Sequence, residues 1–170
     1  RLEESVRESE ANFLCFFNSI DDFLFVLDAG GHILHVNQTV LDRLEYKEAE
    51  LLGRSVLEVH PEHQRAEAGK TVEKMLSGTV DFCPIPLISK NGELIPVETR
   101  VTTGTWNGAP ALFGVSKDLS ALKISEEKLS KIFQTTTALM AVSTLEEGIY
   151  LDVNDAFLST LGFERSEVIG

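Results

Sequence analysis

Leu2, Val6, Ser9, Phe13, Phe16 and Ile20 recur at alternating spacings of four and three residues. That is the seam of a helix that packs on another helix, weakened where Ser9 interrupts it. The period then shortens. Phe23 to Asp28 (FLFVLD) and His32 to Val36 (HILHV) are β-rich runs parted by Ala29-Gly30-Gly31, a hairpin signal. Asn37 precedes a helical spacing of Val40, Leu41 and Leu44, where its side-chain oxygen can cap an unpaired backbone N–H. Glu48 to Leu52 adds another helical turn, ended by Gly53. Pro61 suits the start of a longer helix reaching Ser77, with Val72, Met75 and Leu76 inward and Gly78 as its stop.

Three strands follow. Lys90-Asn91-Gly92-Glu93 and Trp106-Asn107-Gly108-Ala109 both carry Asn-Gly, which tolerates the positive φ angles of a type I′ hairpin. Ile95, Val97, Thr99, Val101 and Thr103 share one face of the middle strand, opposite Glu98 and Arg100, so one face is core and the other partly wet. Pro84 and Pro86 lack N–H groups and point the same way, which predicts a sheet edge. In the last strand Ala111, Phe113 and Val115 line one face, while Leu112 is apolar on the other. The N-terminal helix or a partner chain is expected to cover that outer face.

The chain also repeats itself. Ile33 to Gly53 aligns without gaps to Tyr150 to Gly170, with Leu34, Val36, Asn37, Leu41, Leu44, Glu50 and Gly53 recurring as Leu151, Val153, Asn154, Leu158, Leu161, Glu167 and Gly170. Upstream, Ser9-Glu10 and Phe16-Phe17 match Ser125-Glu126 and Ile132-Phe133, one residue out of step. The expected organisation is a connector helix over 1–16, a complete domain over 13–120, a connector helix over 119–134, and a truncated second copy over 125–170. Leu119, Leu122, Leu129 and Phe133 follow a heptad track in the second connector, broken by Glu126.

Among the 170 residues, 15 Lys and Arg face 27 Asp and Glu, a net charge of −12. No basic field exists to hold nucleic acid or an anionic membrane surface. The chain contains no apolar run long enough to cross a membrane, and its start reads as mid-protein helix rather than a signal peptide. Cys15 and Cys83 lie far apart without metal-type spacing, which fits a reducing, cytoplasmic setting.

Catalytic chemistry finds no foothold: nucleophile elbow, glycine-rich phosphate loop and Cys/His arrangement are all missing. No metal site is expected either. His32 and His35 have opposite parity on a strand, and His60 and His63 flank a helix start, where a cap and a solvated side chain are the expected roles. Asn37 and Asn154 read as structural caps. Thr99 and Thr103 put hydroxyls on the predicted apolar face, where each must find a partner: ligand, water or backbone.

Four segments in order resemble the PAS sensor domain family. GHILHVNQTVLDRLEYKEAELLG resembles its G-x-I-x-x-x-N-x-x-x-x-x-x-x-G/E-Y/F pattern, VHPEH its H-P-E segment, KNGELIPVE its K-D-G-x-x-x-P-V-E hairpin, and Asp118-Leu119-Ser120 its terminal D-I-T. The resemblance implies an α+β fold, with a five-stranded antiparallel sheet of order 2-1-5-4-3 whose one face encloses a pocket with the helices. Phe25, Val36, Leu44, Val56, Val72, Met75, Leu76, Phe82, Val97, Thr99, Val101 and Phe113 are the expected lining. Asp118, Leu119, Leu122, Leu129 and Phe133 are the expected route by which a signal leaves.

Haem-binding members of the family use a histidine on the long helix, which here offers only His63 in its first turn. Covalent flavin photochemistry needs a cysteine within N-C-R-F-L-Q, and no such segment occurs, so no cofactor is required; a flavin held without a covalent bond stays open. The resemblance implies a non-catalytic sensory and dimerisation module of a multi-PAS sensor histidine kinase. A homodimer would form through the Leu2, Val6, Phe13, Phe16 helix and the outer sheet face. The alternatives are an interaction module whose cavity is filled by Phe25, Leu44, Phe82 and Phe113, and an input domain for a diguanylate cyclase or transcription regulator.

Overall fold

The computed structural model describes residues 2–170, and the side chains of Leu2, Glu3 and Ser5 lie outside the description. The expected seam position Leu2 is among these. Two compact units make up the chain, Arg1–Ser120 and Ala121–Gly170.

The first unit opens with α1 (Leu2–Ser19), then β1 (Phe23–Asp28), β2 (Ile33–Val36), α2 (Gln38–Leu44) and α3 (Glu48–Leu51). Two 3₁₀ turns, Val56–Val59 and Glu62–Gln64, lead into α4 (Arg65–Leu76). The remaining strands are β3 (Leu87–Ile88), β4 (Leu94–Ile95), β5 (Val97–Trp106) and β6 (Ala109–Asp118). Four of them form an antiparallel sheet of order β2-β1-β6-β5.

The fifth strand of the expected order is present as a broken edge. Cys83 bridges Thr99, while Leu87 pairs with Ile95 and Ile88 with Leu94, one continuous antiparallel register along β4 and β5. Pro84, Pro86 and Pro96 interrupt the ladder between these contacts, because none of them can donate.

The two Asn-Gly turns differ. Asn107 and Gly108 both take positive φ, 51° and 79°, as a two-residue type I′ turn requires. Asn91 does not; only Gly92 is positive, at 87°, and Ser89 N–H bonds Glu93 O across a three-residue loop. The type I′ expectation is therefore corrected at Lys90–Glu93.

The second turn also decides what faces inward. With Trp106 opposite Ala109, odd residues of β5 pair with even residues of β6: Thr99 with Ser116, Val101 with Gly114, Thr103 with Leu112. The core side of β6 is thus Leu112, Gly114 and Ser116, which overturns the inward assignment of Ala111, Phe113 and Val115. Phe113 lies on the outer face with Trp106, Phe17, Leu24 and Val26. Its ring covers Gly104, where an added β-carbon would come within 2.7 Å of Phe113 Cε2.

The helix α1 covers part of that outer face. Phe17 stacks on Phe13 at 5.3 Å and on His35 at 5.1 Å, and Phe13 meets Trp106 at 5.7 Å. The expected single seam is therefore split: Phe13 and Ile20 turn towards the chain's own sheet, while Val6 and Phe16 remain 54% and 67% exposed.

The main core joins Phe23, Phe25, Leu27, Ile33, Val36, Val40, Leu44, Leu51, Val59, Leu87, Ile95 and Val97. Asn37, fully buried, fixes how α1, β1 and α2 meet within it. Its Oδ1 accepts from Leu24 N (3.1 Å) and Val40 N (3.3 Å), and its Nδ2 donates to Ile20 O (3.1 Å) and Asp22 O (2.9 Å).

The second unit repeats the opening of the first: α5 (Ser120–Thr135), β7 (Ala141–Ser143), β8 (Tyr150–Val153), α6 (Asp155–Leu161) and α7 (Arg165–Val168). Asn154 makes the same four bonds there, accepting from Met140 N and Phe157 N and donating to Ala138 O and Thr136 O. Glu45 holds a left-handed φ of 60° where the second copy has Gly162 at 77°.

Replacing Asn37 with Ala removes four hydrogen bonds at once: Leu24 N and Asp22 O lose their side-chain partner, while Val40 N keeps Asn37 O and Ile20 O keeps the Thr39 hydroxyl. Urea denaturation should show Asn37→Ala losing about 2–4 kcal/mol of unfolding free energy, well above Ser55→Ala, whose cap rests on one 3.3 Å bond. Equal losses would mean that Asn37 is an ordinary cap.

Candidate functional site

A cavity of about 260 Å³ lies between the inner sheet face and the helices. Phe25 and Leu27 of β1, Thr99 and Val101 of β5, and Leu112, Gly114 and Ser116 of β6 form its floor. Val72, Glu73 and Leu76 of α4 form one wall, and Val56 and Leu57 of the first 3₁₀ turn, with Ser55 and His60 flanking it, another. Ala29, Gly30 and Gly31, in the β1–β2 turn, close an end.

Of the expected lining, Phe25, Val56, Val72, Leu76, Thr99 and Val101 come together here. Val36, Leu44 and Val97 sit instead in the solid core, and Met75 packs with Ala68, Cys83 and Ile85. Phe82 is 42% exposed and Phe113 is on the outer face, so neither can fill the cavity as the ligand-free alternative supposes. Thr103, opposite Leu112 near the end of β5, is exposed.

Sequence reasoning missed the polar part of the lining. The Thr99 and Ser116 hydroxyls meet at 2.7 Å across the β5–β6 pair, both buried. His60, expected as a cap or a solvated side chain, is only 6% exposed. It is buried because the chain turns inward at Val59, a core residue, and because Nδ1 reaches Pro86 O at 2.9 Å. Burial pushes His60 below its ordinary pKa, with the Arg65 charge adding to the effect and the Pro86 hydrogen bond opposing it. The ring is therefore neutral, and its proton sits on Nδ1, because a carbonyl can only accept.

His63 and Cys83 do not line the cavity. Cys83 is buried, and burial pushes its thiol pKa up, the behaviour of an inert packing group. The residues present do not fit a haem ligated from α4 or a cysteinyl flavin. Of the remaining histidines, His32 contacts Asp28 at 3.1 Å and His35 stacks on Phe17.

The strand β6 leads out of the cavity to Asp118. One of its oxygens meets Arg43 of α2 at 2.6 Å, and the other accepts from Ser120 N at 2.8 Å, at the start of α5. Burial alone would raise the Asp118 pKa, but the Ser120 hydrogen bonds and the Arg43 charge outweigh it and hold the carboxyl below its usual range. Leu119 is anchored through its amide to Pro96 O at 2.9 Å. Further along α5, Leu122 and Leu129 are 55% and 65% exposed, and Phe133 is half-buried.

A profile of the PAS fold matches residues 17–123, most of the chain, and a PAS domain profile matches 137–170. The chain belongs to the PAS family. The methyl sulfide methyltransferase-associated sensor of Methanosarcina acetivorans is 28% identical over 93% of this chain, which spans 18% of that relative's length. Among solved structures, the PAS domain of a Desulfitobacterium hafniense protein is 30% identical at a TM-score of 0.55, covering 61% of this chain and 98% of its own. The PAS domain of an HTR-like protein from Haloarcula marismortui is 25% identical at 0.59, covering 69% and 98%. PAS domains are sensory modules, and an antiparallel sheet walled by helices is the architecture these neighbours share with the first unit. Among the described residues, no helix is long and apolar enough to cross a membrane.

The neutral His60 sets a pH dependence. The unfolded imidazole takes a proton near pH 6.5, the folded one only at lower pH, so stability is lost as pH falls through that window. His60→Gln should flatten the decline of unfolding free energy between about pH 6.5 and 5.5 relative to the parent chain. Parallel curves would show that His60 titrates freely.

Proposed function

We propose that this chain is the cytoplasmic sensory and dimerisation module of a larger signalling protein, a multi-PAS sensor histidine kinase. A small molecule in the cavity changes the setting of α5. The observation that carries this reading is the course of β6. Ser116 sits in the cavity, and two residues on, along the same face, Asp118 grips both Arg43 and the first amide of α5. A shift at Ser116 thus reaches the helix start through one extended stretch of backbone.

The kinase assignment is supported by the repeated PAS units and by a relative named as a sensor. The fragment transfers no phosphate in this reading, its role being input. The cytoplasmic setting is supported by two unpaired cysteines, one of them buried.

The partner in this reading is a second copy of the chain. Val6 and Phe16 on α1, with Leu122 and Leu129 on α5, remain exposed at helical spacing, as the two sides of a helix pair would. A pair of helices with two registers supplies the switch.

Two measurements test it. Val6→Glu/Phe16→Glu, at exposed positions, should raise the dimer dissociation constant by about tenfold or more in sedimentation equilibrium; an unchanged constant would rule out this surface. Arg43→Gln should speed amide hydrogen exchange in the first turn of α5, and exchange indifferent to the change would remove Asp118 from the relay.

A further inference from the structure

The hydrogen-bond inventory of the cavity specifies what can occupy it. Thr99 and Ser116 bring two hydroxyl protons, and their mutual bond at 2.7 Å uses one. Neither oxygen makes any other protein hydrogen bond among the described residues, so one O–H lacks an acceptor, although the two residues are only 9% and 1% exposed. His60 supplies the complement. With its Nδ1 proton committed to Pro86 O, Nε2 carries a lone pair with no donor among the described residues, and it is not sealed within the protein.

Most of the remaining lining is apolar, and of its other polar side chains Ser55 Oγ accepts from Leu57 N at 3.3 Å. The Gly30 and Gly31 amides at the end of the cavity both bond Asp28. Among the described residues no lysine or arginine lines the space, and Glu73 is its only carboxylate. An anion would therefore leave water without meeting a counter-charge, at a cost no contact here offsets. Size sets a further limit: an apolar cavity of about 150 Å³ takes benzene, so 260 Å³ suits one ring with a short substituent.

Resting on the reading of this cavity as the sensory site, we infer that its ligand is a small, uncharged, mainly apolar molecule of the alcohol or amide class. It accepts a hydrogen bond from the Thr99–Ser116 hydroxyl pair and donates one to His60 Nε2.

Three probes of closely matched size decide the class: phenylacetamide, phenylacetate and propylbenzene, titrated into the 170-residue chain and followed by NMR shifts of the cavity residues. Phenylacetamide should bind about tenfold or more tightly than either of the others, since each of those leaves the hydroxyl pair or His60 unpaired or buries a charge. Thr99→Val/Ser116→Ala removes both hydroxyls together and should bring phenylacetamide to within about threefold of propylbenzene, whereas Thr99→Ser, which keeps them, should retain the preference. Equal or tighter binding of phenylacetate or propylbenzene by the parent chain overturns the inference, as does a cavity that binds none of the three. Selective phenylacetamide binding that leaves hydrogen exchange in α5 unchanged would uphold the ligand class and overturn the sensory reading instead.

Discussion

The first unit depends on the buried side chain of Asn37. A helix end, a strand start and another helix start converge at that point, bringing backbone groups that need partners; among them Val40 N also bonds Asn37 O, and Ile20 O also accepts from the Thr39 hydroxyl. One carboxamide answers four of them, two by accepting and two by donating. Aspartate has the wrong inventory, since it cannot donate to Ile20 O and Asp22 O, and serine is too short to span the gap. Asn154 makes the same set of bonds with its own neighbours, so the second unit can form its helix, hairpin and helix start by the same device.

The pattern of apolar positions was enough to place almost every helix and strand, because periodicity and turn residues are local signals. It also placed the Pro84 and Pro86 strand at an edge, since missing donors are a property of the residues themselves. What went astray was parity and burial. The inward face of β6 was assigned from apolarity, which favours Phe113, yet the Asn107-Gly108 turn already fixes Trp106 opposite Ala109 and hence Gly114 and Ser116 inward. A glycine and a serine carry no hydrophobic signal, and a cavity floor is where small residues are expected. His60 and Phe82 illustrate the limit beyond that: whether a loop residue turns in or out is decided by neighbours distant in sequence, such as Pro86, and no local pattern reports it.

The same reasoning separates scaffold from function. The cap at Asn37 and the bond in which the Glu50 carboxylate accepts from Lys47 N both recur in the second copy, at Asn154 and between Glu167 and Glu164 N. They describe what this fold needs in order to form. Arg43 does not recur; the gapless alignment puts Thr160 in its place. The arginine that ties α2 to Asp118 is therefore not part of what the two copies share.

In the proposed relay, that difference gives α2 a specific mechanical role. Its first turn is fixed by Asn37, and its last turn holds Arg43, which leans over Phe23 at 6.0 Å and grips Asp118. Asp118 therefore has two ties with different freedoms: a covalent one to β6, which carries Ser116 in the cavity, and an ionic one to a short helix anchored in the core. A displacement of β6 along its own direction must stretch the second tie or carry the Ser120 amide with it. Because the ion pair is partly exposed and so of modest strength, it is the contact that can yield. The junction can then adopt a second arrangement without disturbing the Asn37 cluster that keeps the domain folded.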